Sequence, residues 1–309
     1  MYRSPIAYEE LKALATKNNW AATWRTGLHM GLLIGTGTLA ALCVQHQLYW
    51  ALLPALMLHG MVFSFLGYAG MGHELYHNTV FSNPRINQGL FKLVSLLTWN
   101  NPVYFRHSHS THHKHTLEAG LDFEVSPKPY PLLEQWWRYA FFDFTALKRS
   151  LVIFWDNAHN EVKGPLGERI FRRGKPERQA LVHTARQHIA LHATLALAFI
   201  GSDNWLLLAL ITFANFFCTL PNRILAKLQH SGKPINSDDY RENSRTVLLP
   251  AWLAFLYWNM NYHIEHHMYP SVPCYNLPTL RQTMKADLPE QEETLLPNLK
   301  HIRMPKVKQ

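Results

Sequence analysis

Apolar positions in this chain are gathered into blocks. No Lys or Arg occurs between Arg25 and Arg85, and none between Arg186 and Arg223. Inside the first gap lie "GLHMGLLIGTGTLAALCV" and "LYWALLPALMLHGMVFSFLGYAG"; inside the second lie "HIALHATLALAFIG" and "NWLLLALITFANFFCTL". A bilayer-crossing helix takes about 20 mostly apolar residues, so each gap has room for a helical hairpin. The hinges, near Gln45 to Gln47 and Ser202 to Asn204, are short and carry no cation. The pattern predicts an all-α integral membrane protein with two transmembrane helical hairpins (four spans) and a cytoplasmic helical cap. A soluble protein with buried core helices is the alternative, and the length and regularity of the gaps speak against it.

The whole chain, 1–309, reads as one membrane domain. It comprises an N-terminal interfacial segment (1–25), a first hairpin (26–70), a cap segment (71–185), a second hairpin (186–220) and a C-terminal segment (221–309). "SPIAYEELKALATKNNW" has the pattern of an amphipathic helix near the interface. "NQGLFKLVSLLTWNNPVYF" is apolar but short and cation-bearing, as in an interfacial helix. "PLLEQWWRYAFFDFTALKRSLVIFW" is aromatic and amphipathic, suited to the bilayer surface or to closing over a site. "VLLPAWLAFLYWNMNYH" is an apolar helix too short to span. "VKGPLGE", "RRGKPE" and "HSGKPINSDD" mark exposed loops.

Charge orients this arrangement. The basic residues cluster before the first hairpin, between the hairpins and after the second, which places all three segments on the cytoplasmic side. The net charge of +9 suits an anionic lipid surface or an acidic partner protein. Nothing in the pattern points to nucleic acid. The N-terminal stretch lacks the apolar core and small-residue cleavage site of a signal peptide. Cys43, Cys218 and Cys274 have no disulfide or iron–sulfur spacing.

The 19 histidines carry the chemistry. His73 and His77 stand at i and i+4. His109, His112 and His113 stand at i, i+3 and i+4, and so do His263, His266 and His267. These offsets bring helical side chains to one face. Each cluster follows an apolar segment at its predicted cytoplasmic end, so all can converge beneath the membrane, and His230 is a ninth candidate. "HELYH" also spells the H-E-x-x-H of zinc proteases, but a catalytic zinc takes three protein ligands and would leave most of these histidines idle. Two metal ions with four or five ligands each would use them all. Imidazole suits iron, copper, nickel and zinc, so ligand type alone does not name the metal. A metal transporter would instead place histidines within the spans.

With "HELYH", "HSTHH" and "HIEHH" in this order, the chain resembles the membrane-bound fatty acid desaturases and their hydroxylase relatives. The tail "NYHIEHHMYPSVPCYNLPTLR" is similar to the bacterial members. The resemblance implies four spans under a cytoplasmic cap and two Fe ions in a non-haem di-iron centre that activates O2 with two electrons from a redox partner. It implies ligation by His73, His77, His109, His112, His113, His263, His266 and His267, with His230 as the additional ligand. One branch has Asn four residues before that last histidine, holding a water on one iron, where this chain has Ala226. Gln229 stands where many relatives have Glu.

Neutral imidazoles do not offset the charge of two metal ions, so carboxylates are expected behind them. Glu74 and Glu265 lie inside "HELYH" and "HIEHH", and Asp122 and Glu124 resemble the acidic pair that follows the second histidine motif in relatives. Ordinary surface carboxylates are the alternative for all four. His107 and His115 flank "HSTHH" at offsets that suit surface or supporting roles. His29, His46, His59, His159, His183, His188, His192 and His301 read as structural, exposed or interfacial. The expected reaction is O2-dependent oxidation of an unactivated C–H position in a fatty acyl chain or related lipid, with desaturation favoured over hydroxylation or oxidative decarboxylation to a terminal alkene. The acyl chain would enter from the membrane through an apolar tunnel. No cytochrome b5 or ferredoxin segment occurs in the sequence, so a separate electron donor such as a ferredoxin with its reductase is expected.

Overall fold

The computed structural model describes residues 1–125, 131–289 and 294–302. Among the described residues the regular structure is entirely helical, with no strand beyond isolated bridges such as Phe142–Phe217. The short helix α1 (Tyr8–Leu14) leads to Asn18, whose side chain accepts from the N–H groups of Trp20 and Ala21 and so starts α2 (Asn19–Gln45). At 27 residues α2 is about 40 Å long. A left-handed Gln47 (φ 56°) turns the chain into α3 (Tyr49–Ser64), which packs back along α2.

The cap begins with α4 (Met71–Tyr76). Asn-Pro pairs then start the next two helices, α5 (Pro84–Leu97) and α6 (Pro102–Lys114), with Asn83 and Asn101 as caps and proline at the first position. One turn, α7 (Trp137–Ala140), precedes α8 (Phe144–Ala158). The N-cap Asp143 is buried, and it also accepts from Thr219 Oγ1 at 3.2 Å and Arg223 Nη2 at 2.6 Å. That pairing fastens the aromatic segment to the chain beyond the second hairpin.

After α9 (Pro165–Arg169), α10 (Pro176–Gly201) forms the outgoing limb of the second hairpin, starting ten residues before the cation-free stretch. The return limb is broken into α11 (Trp205–Leu207), a π-helical turn (Leu208–Thr212) and a 3-10 turn (Ala214–Phe216). Two ring N–H groups pair with carbonyls of the π-turn: His59 Nε2 with Leu210 O at 2.9 Å and Trp99 Nε1 with Thr212 O at 2.8 Å. Among the described residues one helical stretch, Tyr8–Gln45, is long and apolar enough to cross a bilayer, and α3 is a shorter apolar helix. The sequence pattern counts apolar residues and cannot see that α10 opens on charged turns or that its partner limb is irregular.

The C-terminal part consists of α12 (Leu220–Leu228), α13 (Tyr240–Asn243), α14 (Ala251–Leu256), α15 (His263–Met268), α16 (Leu277–Met284) and α17 (Leu295–Asn298). The apolar helix read from "VLLPAWLAFLYWNMNYH" is only six residues, because Trp258 and Asn259 turn left-handed (φ 55° and 56°). This turn buries Trp258 Nε1 on His29 Nδ1 at 3.0 Å and aims α15 at α4 and α6. Leu66, Met71, Leu75, Phe91, Tyr257 and Ile264 pack together beneath these three helices.

Candidate metal centre

The three short helices α4, α6 and α15 each carry histidines four residues apart, and such pairs lie one above the other. His73 with His77, His109 with His113, and His263 with His267 each stay together. The intervening His112 and His266 sit about 100° round their helices and go elsewhere. The structure therefore sorts the nine candidates into two groups: His73, His77, His109, His113 and His266, and His112, His230, His263 and His267. Within each group the ligand nitrogens lie within 4.8 Å of one another. The single-face triplets suggested by the i, i+3, i+4 spacing do not form, since α6 and α15 each serve both groups.

The imidazoles meet through Nε2. His109 Nε2 lies 2.6 Å from that of His73, 3.1 Å from that of His77 and 3.0 Å from that of His113. In the second group, His263 Nε2 lies 2.9 Å from His230 Nε2 and 3.0 Å from His267 Nε2. Hydrogen bonding does not explain these approaches. His109 Nδ1 donates to Glu124 Oε1 at 2.8 Å, so its Nε2 keeps one lone pair, which cannot serve three rings. A metal at the common point does explain them. Adjacent octahedral ligands at about 2.1 Å from a metal are about 3.0 Å apart, whereas tetrahedral ones would be about 3.4 Å apart. The residues present thus fit two imidazole-held metal ions.

Groups behind the rings set the tautomers. His112 Nδ1 donates to Asp122 Oδ2 at 2.8 Å, and His230 Nδ1 to the Asn243 carbonyl at 2.9 Å. His267 Nδ1 lies 3.3 Å from Thr116 Oγ1. Each such partner holds Nδ1–H outward and turns the free Nε2 inward. Burial drives His73, His109, His113, His263, His266 and His267 well below the ordinary imidazole range, with neighbouring rings adding to it. Burial also takes His77 and His230 down to about 3. The neutral, ligating form is therefore held. His112 differs. Burial is the largest effect and opposes its charge, but the Asp122 hydrogen bond together with the Glu124 and Asp122 charges outweighs it and lifts His112.

The four carboxylates divide. Asp122 and Glu124 stand behind His112 and His109. Glu74 Oε1 is 3.7 Å from His266 Nδ1, and its Oε2 accepts from the Cys274 N–H at 3.0 Å and from Thr79 Oγ1 at 3.3 Å. Burial raises both Glu74 and Glu124 to about 7. Glu74 thus faces away from the nitrogen cluster, unlike the general base of a zinc protease. Glu265 differs from the sequence expectation, because it takes no ligand N–H. Its oxygens accept from Arg281 Nη1 at 2.6 Å and Thr246 Oγ1 at 2.5 Å, which anchors α15 to α16.

Among the remaining histidines, His107 packs edge-on against Phe171 and His115 pairs with Glu118, both outside the two groups. His29, His59, His188 and His192 are buried singly against backbone carbonyls rather than along a path. Three supporting groups escaped the sequence reading: the Asn243 carbonyl, Thr116, and buried Arg245. Arg245 Nη1 donates to the Leu228 and Ser231 carbonyls and fixes the turn that carries His230. A backbone carbonyl leaves no mark in residue type, but an arginine in "NSRT" beside so apolar a stretch is a signal that could have found the third.

Among curated proteins, none matches the chain. The family model for fatty acid desaturase matches residues 48–297, more than half the chain and all nine clustered histidines. Such enzymes are oxidoreductases, typically membrane-bound, and one apolar helix of sufficient length is present. On the three helices, their two nitrogen clusters and this match together, the chain belongs to the fatty acid desaturase family.

Proposed function

We propose that the protein oxidises an unactivated C–H position of a membrane-derived fatty acyl chain with two iron ions, the outcome being desaturation. The observation that carries this reading is the pair of inward-facing imidazole sets, five and four strong, with carboxylates behind His109 and His112. His73, His77, His109, His113 and His266 would hold one ion, and His112, His230, His263 and His267 the other. Bound there, the irons supply the O2-derived oxidant that no side chain can provide. The chain's own residues position the ions, keep the imidazoles deprotonated and exclude water: eight of the rings are driven down in pKa and seven are almost fully buried.

We further read the molecule as a four-span protein with its metal centre on the cytoplasmic side. The limbs of both hairpins support this, with α3 and the broken limb after α10 as the shorter returns. Electrons would come from a separate ferredoxin-like donor and its reductase. The test is expression with iron supply in a host lacking desaturases, followed by gas chromatography of the fatty acids and an iron determination on the purified protein. Two irons per chain and a new alkene are expected. A hydroxylated acid or a terminal olefin would replace the desaturation reading within the same chemistry. Iron-loaded protein that leaves every acyl substrate unchanged under O2 and reductant would end it.

A further inference from the structure

The two histidine groups are not equally buried. His112, His230, His263 and His267 are all buried, whereas His77 and His113 of the five-membered group are half-buried. The five-histidine cluster therefore lies nearer the surface. Tyr76 covers it from outside, its ring centroid 4.8 Å from that of His77 and 5.2 Å from that of His109. Over Tyr76 lies the exposed guanidinium of Arg106, 5.8 Å from the ring centroid, with its Nη2 donating to Gln88 Oε1 at 2.6 Å. One aromatic ring thus separates an exposed cation from the centre of the cluster.

Along the chain, the stretch around Arg106 is basic, with Glu177 of α10 near His107 and Glu118 beyond Lys114 as acidic groups at its margin. Between Glu74 and Glu118 the sequence holds no Asp or Glu, while Arg85, Lys92, Arg106 and Lys114 fall there, all exposed. Arg85 and Lys92 stand three before and four after Gln88 on α5, so they share its face and flank Arg106. Lys114 follows the half-buried His113. The exposed apolar residues of α5, Ile86 and Leu93, lie about 100° round the helix from that strip. The face that suits lipid and the basic face are therefore different faces. Glu124 is turned inward onto His109.

We propose that this α5–α6 face, centred on Arg106, docks an acidic one-electron carrier protein, and that electrons enter through the five-histidine cluster. The proposal rests on the di-iron reading above. Each encounter oxidises one carrier and delivers one electron. Two encounters, with two hydrogens from the acyl chain and two protons from solvent, reduce one O2 to two waters. Complementary charge at such a rim raises the encounter rate and holds the partner in register.

The test uses the iron-loaded full chain in phosphatidylcholine nanodiscs, titrated with an acidic [2Fe–2S] ferredoxin. Wild-type affinity should fall as salt rises. Arg106→Glu should weaken Kd about tenfold, Lys92→Glu less, and Arg106→Gln should lie between wild type and Arg106→Glu. Lys148→Glu, on the exposed side of α8, should leave Kd as it was. Unchanged iron content shows that each variant is folded. Wild type that binds no ferredoxin, or an Arg106→Glu variant that binds as tightly as wild type, overturns the proposal. So does a weakening seen only when the discs contain phosphatidylglycerol, since the strip would then be a lipid contact. Normal docking by protein that forms no product would instead remove the desaturation reading and leave the surface standing.

Discussion

Asp122 shows how much one side chain does at this site. Its Oδ2 accepts from His112 Nδ1 and from the Leu117 N–H at 2.9 Å, and its Oδ1 accepts from the Glu124 N–H at 3.0 Å. An amide has only one accepting atom, so Asp122→Asn must set an NH2 against one of these donors. Metal affinity of the four-histidine group should fall about 10- to 100-fold, read by metal titration, and an unchanged affinity would deny the carboxylate this role. The imidazoles also predict the pH response of metal-free protein. His77 and His230 are lowered from 6.5 to about 3, and six others lie well below 6.5. Between those values the unfolded chain binds protons that the folded chain refuses, so stability is lost as pH falls below 6.5. Glu74 and Glu124, raised from 4.5 to about 7, act in the opposite sense, as do the raised Glu265 and His112, but these are four against eight. The Tm of the apoprotein should therefore drop between about pH 7 and about pH 5, and a flat or rising Tm would contradict the packing of these rings. At this scale the histidines were legible, because the i+4 spacing survives into the structure. The partition of His112 and His266 was not, because it depends on how three helices meet. Glu265 was misread because its partner, Arg281, lies sixteen residues away on another helix.

The elements that hold the site up are less regular than their hydropathy suggests. The limb after α10 leaves helical geometry at Leu208–Thr212, where His59 and Trp99 take up its carbonyls. Next to it, Gly60 of α3 sits against the 3-10 turn so closely that an added Cβ would lie 2.3 Å from Phe217 Cβ, 2.5 Å from Phe217 O and 2.8 Å from Ala214 O. Two of those atoms are backbone and cannot rotate away. Gly60→Ala should therefore destabilise by about 1–3 kcal/mol or more, through forced separation of α3 from the turn. Gly35→Ala on α2 meets nothing within 4 Å and should be neutral or stabilising by up to about 1 kcal/mol. Thermal unfolding in detergent compares the two, and equal effects would mean that the close approach at Gly60 is not maintained. The chain's apolar blocks announced helices here, and α2, α3 and α10 formed. They could not announce the π-turn, which is set by the side chains of α3 and of the segment after α5 that pair with it.

Across the whole molecule the two hairpins point the same way. Ala40 and Cys43 of α2, Ala55 and Leu56 of α3, and Leu210 of the return limb share one buried cluster, with Leu206 packed against it. The tips of the two hairpins therefore lie together, remote in the fold from α4, α6 and α15. Neither tip bears Lys or Arg, whereas the cap and the C-terminal segment carry many. Moving such cations across a bilayer is costly, so on the four-span reading proposed above the tips would be the parts that cross. The segregation of charge was fully visible in the sequence; that the hairpins share a core was not, since it needs contacts between residues about 150 positions apart. The arrangement predicts which sites are open to which compartment. In a chain with its own cysteines replaced, Gln47→Cys and Asp203→Cys should react with a membrane-impermeant maleimide on intact cells. Lys114→Cys and Lys285→Cys, both exposed near the metal-binding end, should react only after the membrane is permeabilised. Labelling of Lys114→Cys from outside would place the histidine cage on the other side of the membrane and with it the docking face around Arg106, where no cytoplasmic carrier could reach it.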